Sequence, residues 1–228
     1  MAKKNQTNDT YNEMFSIGGA DGAYDLPYYL SPYYPMYKQV LSYLKKYKVS
    51  DILEVGCGTG AFAKMISEKT SITYRGFDFS EIAIQKASQL LGRPELFSIG
   101  DATQPQTYAY PYEAIICTEV LEHLIDDLTV IDNWKAGTLC ICSVPNYDSD
   151  YHTRFFNSKD EVIERYQTRF NISEISTVKK PVLTELSLSN YLRQLRWNRY
   201  KPKRLLEILG LGDFDKVGGW FIFVGIKK

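Results

Sequence analysis

Histidine is scarce in this chain: only two, His123 and His152, occur among 228 residues. Any step that needs an imidazole titrating near neutral pH has these two to draw on. Cysteine is nearly as scarce. Cys57, Cys117, Cys140 and Cys142 form no C-x-x-C pair, which excludes the common zinc-ribbon and thioredoxin-like spacings. A chain of this size does not depend on disulfide staples, so the four are expected as reduced thiols in a cytosolic protein. Net charge is absent as well. Lys+Arg and Asp+Glu both total 27, so no whole-protein field draws in nucleic acid or an anionic surface. No apolar run approaches the roughly 20 residues that span a bilayer. The opening Met1–Gln6 is polar and lacks the apolar stretch of a signal peptide. A cytoplasmic protein without a membrane partner is expected.

What is present suits a full core: 44% of residues are hydrophobic and 14% aromatic. The length suits one α/β domain. Residues 1 to about 22 are polar with several glycines and read as a flexible arm. Tyr24 to Tyr37 is aromatic and broken by Pro27, Pro32 and Pro35, with a helix predicted from Pro35 to about Lys46. Alternation follows: strands at 51–55, 71–77, 97–99, 113–117 and 138–144, and helices at 61–69, 81–91 and 119 to about 134. Ser80 is placed as the cap of the 81–91 helix. Such alternation argues for a parallel sheet wrapped on both faces. Beyond Pro145, a helix over 158–166 with a capping box at Ser158 and Glu161 is predicted. A strand over 170–178, a helix from Pro202 to Leu209 ended by Gly210, and a last strand over 220–226 complete the reading.

Glu54-Val55-Gly56-Cys57-Gly58-Thr59-Gly60 closes the first strand and opens a helix. Glycines there let the backbone turn sharply and approach a ligand, beside the unpaired N–H groups of a helix start. Gly56, Gly58 and Ala61 also fit the dinucleotide pattern G-x-G-x-x-G/A. Glu54 weighs against that alternative, because an acid before the first glycine repels a pyrophosphate and favours a cationic ligand. Asp78 ends the second strand about 20 residues on, where an acid accepts hydrogen bonds from ribose hydroxyls. Asp101 follows the third strand, where an acid can meet an adenine amino group. All three fall at the carboxyl edge of the sheet, where open α/β sheets bind ligands.

Ile52 to Gly60 resembles motif I of the class I S-adenosylmethionine-dependent methyltransferases. Gly76-Phe77-Asp78-Phe79-Ser80, Gly100-Asp101-Ala102 and Glu119-Val120-Leu121-Glu122-His123-Leu124 are similar to the motifs that follow, in the same order. The resemblance covers roughly 38–147 and the final strand. It implies a Rossmann-like fold with a seven-stranded, mostly parallel sheet, helices on both faces and an antiparallel last strand. It also implies S-adenosylmethionine as cofactor. On that reading Glu54, Gly56, Cys57, Gly58 and Gly60 form the cofactor turn and Asp78 holds the ribose. Phe79 and Ala102 flank the adenine, Asp101 meets its amino group, and Gly56 and Cys117 lie along the methionine part. Residues 1–37 become an arm and aromatic lid over a methyltransferase domain at 38–228, with a basic insert at about 179–215.

If the acceptor is a hydroxyl or a protonated amine, a base helps, and His123 and His152 are the candidates. Glu119, Glu122 and His123 are spaced i, i+3, i+4, which places them on one face of the predicted helix, while His152 follows the fifth strand at the same edge. Two carboxylates and two imidazoles suit Mg²⁺, Mn²⁺ or Zn²⁺. The set resembles the metal site of Hen1-type small-RNA 2'-O-methyltransferases and the E-x-x-E-H helix of quinone-biosynthesis O-methyltransferases. A helix-dipole preference for acids in a first turn explains the same residues without a metal.

Tyr29, Tyr33 and Glu119 are the expected acceptor contacts. Eight basic residues and one acid, Glu185, lie between Lys179 and Arg204, interleaved with Tyr191, Trp197 and Tyr200. Such a stretch suits an anionic acceptor or RNA, or else a solvated helical face. The reading that results is methyl transfer to an oxygen or nitrogen of a small-molecule acceptor. Metal-assisted RNA ribose methylation and a non-catalytic cofactor- or partner-binding protein stand as alternatives.

Overall fold

A computed structural model of the chain describes residues 8–19, 23–180, 188–209, 211, 214 and 218–228. Seven strands form one sheet in the order β3-β2-β1-β4-β5-β7-β6. They are β1 (Asp51–Val55), β2 (Thr73–Asp78), β3 (Phe97–Ile99), β4 (Ala114–Cys117), β5 (Leu139–Pro145), β6 (Phe170–Lys179) and β7 (Gly219–Lys227). The first five pair in parallel, and β7 runs antiparallel between β5 and β6. The helices are α1 (Asn8–Ser16), α2 (Tyr34–Lys46), α3 (Ala61–Lys69), α4 (Glu81–Leu91), α5 (Asp127–Asp132), α6 (Lys159–Tyr166), α7 (Leu188–Trp197) and α8 (Pro202–Ile208).

The central strands are apolar on both faces, as a parallel sheet covered by helices requires. On one face Ile52, Ala114, Ile116, Ile141, Ile222 and Val224 pack with Met36, Val40 and Leu44 of α2 and Phe62, Met65 and Ile66 of α3. On the other, Leu53, Val55, Ile115, Cys140, Cys142, Phe221 and Phe223 pack with Ile131 of α5 and Val162 and Tyr166 of α6. Three of the helix starts follow local chemistry. Ser80 accepts the Ala83 N–H, Ser158 accepts the Glu161 N–H, and Pro35 occupies the first turn of α2. The Glu161 carboxylate receives the N–H of Asn157 at 2.7 Å, one residue earlier than a capping box puts it. The Gly210 expected to end α8 lies outside the described residues.

Two expectations are corrected. The helix predicted from Glu119 to about Trp134 is instead a turn followed by the six-residue α5. Glu119 has φ 58°, which a right-handed helix does not admit, and the Asp126 side chain caps α5 seven residues later. Part of the glycine-containing polar stretch at the start of the chain is helical: α1 lies against α4.

Candidate active site

Parallel pairing of β1 with β2 and β4 brings their carboxyl ends to one edge, where the glycine turn sits. Gly56, Gly58 and Gly60 all have positive φ, at 70°, 51° and 81°. Their reasons differ. A Cβ on Gly56 would overlap Val120 Cγ2, and one on Gly60 would lie 2.9 Å from the Cβ of Ala87, so both allow close packing. Above Gly58 there is room, since the nearest atom to a Cβ placed there would be in the Phe15 ring of α1, 3.7 Å away.

The Asp78 carboxylate accepts the N–H of Gly58 at 2.9 Å and of Ser80 at 3.0 Å. Burial pushes it up to about 6 in spite of those donors. Glu54, only 3% exposed, accepts a short hydrogen bond from the Tyr74 hydroxyl. Burial raises its carboxyl to about 8, with the nearby Asp78 charge adding to the effect. The expectation of a fixed negative charge at Glu54 is therefore altered: without a cation beside it, the group holds its proton at neutral pH. Asp101 is exposed and accepts from both the N–H and the hydroxyl of Thr103 at 2.8 Å. Ala102 is partly buried against the second core, and its carbonyl accepts the Tyr108 hydroxyl at 2.8 Å. Cys57 and Cys117 are buried, and burial pushes both thiols well above their ordinary range.

Sequence reasoning passed over α1. Tyr11 stands edge-on to Phe79 at 4.9 Å and to His123 at 6.0 Å between ring centroids. Asn12 meets the Ser80 hydroxyl at 2.6 Å, and Phe15 packs on Tyr24. The signal was the i, i+4 spacing of Tyr11 and Phe15. Of the tyrosines expected at the acceptor, Tyr33 sits among Tyr24, Tyr37 and Trp220. Tyr29 is 52% exposed and its ring meets that of Tyr28.

The turn after β4 and the loop after β5 bring Glu122, His123 and His152 together, with one ligand atom of each within 4.8 Å of the others. Ligands about 2.1 Å from a tetrahedral ion lie about 3.4 Å apart, so the trio has to draw in by up to about 1.4 Å to close on one. The His123 ring Nδ1 is 2.9 Å from the Tyr151 carbonyl and the His152 Nδ1 is 3.1 Å from the Tyr147 carbonyl. Donation from Nδ1–H to those carbonyls puts the basic lone pair of each ring on Nε2, as metal-bound histidines require. Burial holds His123 down to about 4, neutral at physiological pH and a weak base. Glu122 is fully buried, and no hydrogen bond of ordinary geometry reaches either of its oxygens, the nearest polar partners being its own backbone N–H and the Glu119 carboxyl. Burial and the facing Glu119 charge push it well above the usual carboxylate range. Glu119 itself lies outside the trio. The Tyr147 hydroxyl donates to it at 3.4 Å, and its other oxygen is unpartnered.

The profile of a family described as "Methyltransferase domain" matches residues 30–195. No curated protein matches the sequence. Among solved structures, the chain is similar to the N-methyltransferase NodS from Bradyrhizobium japonicum WM9 in complex with S-adenosyl-L-homocysteine. That likeness has a TM-score of 0.60 at 18% identity and covers 94% of this chain and 97% of that one. It is also similar to the methyltransferase domain of a bacterial Hen1, with a TM-score of 0.55 at 15% identity, covering 86% of this chain and all of that one. A third likeness is to the cyclase SpnF, with a TM-score of 0.54 at 17% identity over 78% of this chain and 74% of that one. At these identities the likeness is one of fold, and the fold by itself does not name a reaction.

Proposed function

The chain belongs to the methyltransferase domain family of S-adenosylmethionine-dependent enzymes, and on that footing we propose methyl transfer to a hydroxyl oxygen of a small-molecule acceptor, assisted by a divalent ion. The observation that carries this reading is Glu122, a fully buried carboxylate that no donor reaches in ordinary geometry, facing Glu119 and standing beside two imidazoles whose lone pairs are set on Nε2. Two facing carboxylates away from water need a shared proton or a cation. The carboxylate-plus-imidazole donor set suits Mn²⁺ or Zn²⁺, and Mg²⁺ if water completes the shell.

In this reading the cofactor's adenosine lies along the edge from Gly58 and Asp78 to Asp101 and Ala102, with Phe79 against the base. Glu54, Gly56, Cys57, Gly60 and Cys117 surround the turn and the methionine part. Tyr33 and Glu119 bound the acceptor space, and α1 with the tyrosines behind it excludes water. A bond forms from the acceptor oxygen to the methyl carbon as the carbon–sulfur bond breaks, turning the sulfonium into a neutral thioether, while the hydroxyl proton passes to the Glu119 carboxylate, which burial makes a stronger base. A divalent ion at Glu122, His123 and His152 would lower the pKa of a hydroxyl bound to it. Holding that oxygen in line with the methyl group supplies much of the remaining rate.

A second reading, ribose 2'-O-methylation of RNA, uses the same cluster. It is favoured by Trp197 and Tyr200, 78% and 82% exposed, among the exposed Arg193, Arg196, Arg199, Lys201 and Lys203. Bases stack on exposed rings while cations follow the backbone. The test is transfer of labelled methyl groups to a panel of hydroxylated small molecules and to RNA oligonucleotides, after chelation and after Mn²⁺ is restored. Restored transfer to a small molecule supports the first reading. Salt-sensitive transfer to RNA alone favours the second, and transfer indifferent to chelation sinks the metal in both.

A further inference from the structure

The turn from Thr118 to Asp126 is not helical, so its carbonyls lack the N–H partners that a helix supplies. Two consecutive residues of the facing loop take up four of them. Thr153 donates its N–H to the Glu122 carbonyl at 2.7 Å. Its hydroxyl lies 2.8 Å from that same oxygen and 3.1 Å from the Leu124 carbonyl. Arg154 spreads its guanidinium over the rest: one nitrogen donates to the Leu121 and Leu124 carbonyls, and the other to the Ile125 carbonyl at 2.8 Å. Arg154 is itself anchored by Asp127, 3.3 Å away and fully buried. Asp127 is fixed in turn by Arg165 and by the Tyr166 hydroxyl at 2.8 Å.

We infer that Thr153 and Arg154 are positioning residues that set the distance between the Glu122–His123 turn and His152. The inference rests on the metal reading of that trio. His152 immediately precedes Thr153, so the peptide that carries one imidazole grips the peptide that carries the other imidazole and the carboxylate. The grip is local to this cluster. The cofactor edge at Gly58 and Asp78 is held by other bonds, from β1 and β2. Two separate nitrogens of one planar fork meet the three carbonyls, a spread that the single nitrogen of lysine does not reproduce, so lysine is not a substitute for Arg154. Serine keeps the hydroxyl of Thr153, and valine keeps its shape but loses the donor.

The experiment is a Mn²⁺ titration followed by electron paramagnetic resonance on the wild type, E122Q, T153V, T153S and R154K. S-adenosylhomocysteine affinity is measured on each by calorimetry. Saturable Mn²⁺ uptake by the wild type is expected to weaken about 10- to 100-fold in T153V and R154K and to stay within about twofold in T153S. Cofactor-product affinity should be unchanged throughout, which a general loss of folding would not allow. T153V and R154K binding Mn²⁺ as tightly as wild type would overturn the inference and leave the metal reading intact. A wild type that takes up no Mn²⁺, or no more than E122Q does, sinks the metal reading and this inference with it. Should R154K fail to bind the cofactor product, the comparison of T153V with T153S decides alone.

Discussion

Gly58 donates its backbone N–H to the Asp78 carboxylate at 2.9 Å, so the turn after β1 and the acid that ends β2 form one hydrogen-bonded unit. The same carboxylate accepts from Ser80, at the cap of α4. The acid thus shapes the turn before any ligand arrives.

Replacing that acid should separate its two duties. D78A loses both the shaping bonds and the proposed contacts to ribose hydroxyls, each bond to a charged acceptor being worth about 1.5–3 kcal/mol. S-adenosylhomocysteine binding is expected to weaken about 100-fold or more by calorimetry, with D78N intermediate. A folded D78A that binds the product as wild type does would remove Asp78 from the cofactor site.

Glu54 gives a pH signature. Its carboxyl in the folded protein sits at about 8 against an ordinary 4.5. A raised acid adds stability in full below its unfolded value and loses it as pH climbs through the folded one. Ligand-free stability should therefore decline between about pH 4.5 and 8, with a shallower slope in E54Q; Asp78, at about 6, adds a smaller decline that persists in that variant. A cationic cofactor placed beside Glu54 should also release a proton on binding and bind more tightly as pH rises towards 8. Calorimetry in buffers of different ionisation enthalpy reads that proton. Equal proton release from wild type and E54Q would remove Glu54 as its source.

Backbone conformation and packing both dictate Gly56. Its φ of 70° and the Val120 methyl in the place of a Cβ predict two separable penalties in G56A. Backbone strain costs about 1–3 kcal/mol, and overpacking costs a similar amount. The double variant G56A/V120A should regain the second and not the first in thermal unfolding. If G56A alone unfolds at the wild-type temperature, this account of the turn is wrong.

The elements that the sequence made legible are those fixed locally. The helices α3 and α4, the strand β3 and the Ser80 cap have the predicted bounds, because apolar period, capping side chains and glycine all act within a few residues. The Glu119–Leu124 run was misread for the opposite reason. Its residues are good helix formers. What bars the helix is distant: Ser143 Oγ takes the Glu119 N–H at 3.0 Å, and Thr153 and Arg154 take the carbonyls. Glu119, Glu122 and His123 were grouped by helical spacing, with His152 joined through the loop after the fifth strand; the structure brings Glu122, His123 and His152 together without a helix and leaves Glu119 outside. Glu54 looked like a charge because Tyr74, its partner on the neighbouring strand, is 20 residues away. α1 was hidden by its polarity, which leaves only Tyr11, Met14 and Phe15 to mark a buried side.

Strand β7 is inserted between two strands that precede it in the chain, β5 and β6. During synthesis the half of the sheet that bears the glycine turn can assemble from sequential β–α units as they emerge. The half that bears Trp220, and that backs the loop of His152, must wait for the last nine-residue strand. Until then β5 presents an open apolar edge, so a ribosome stalled before Gly219 would hold a chain able to form the half that bears the glycine turn while still recruiting chaperones to the other.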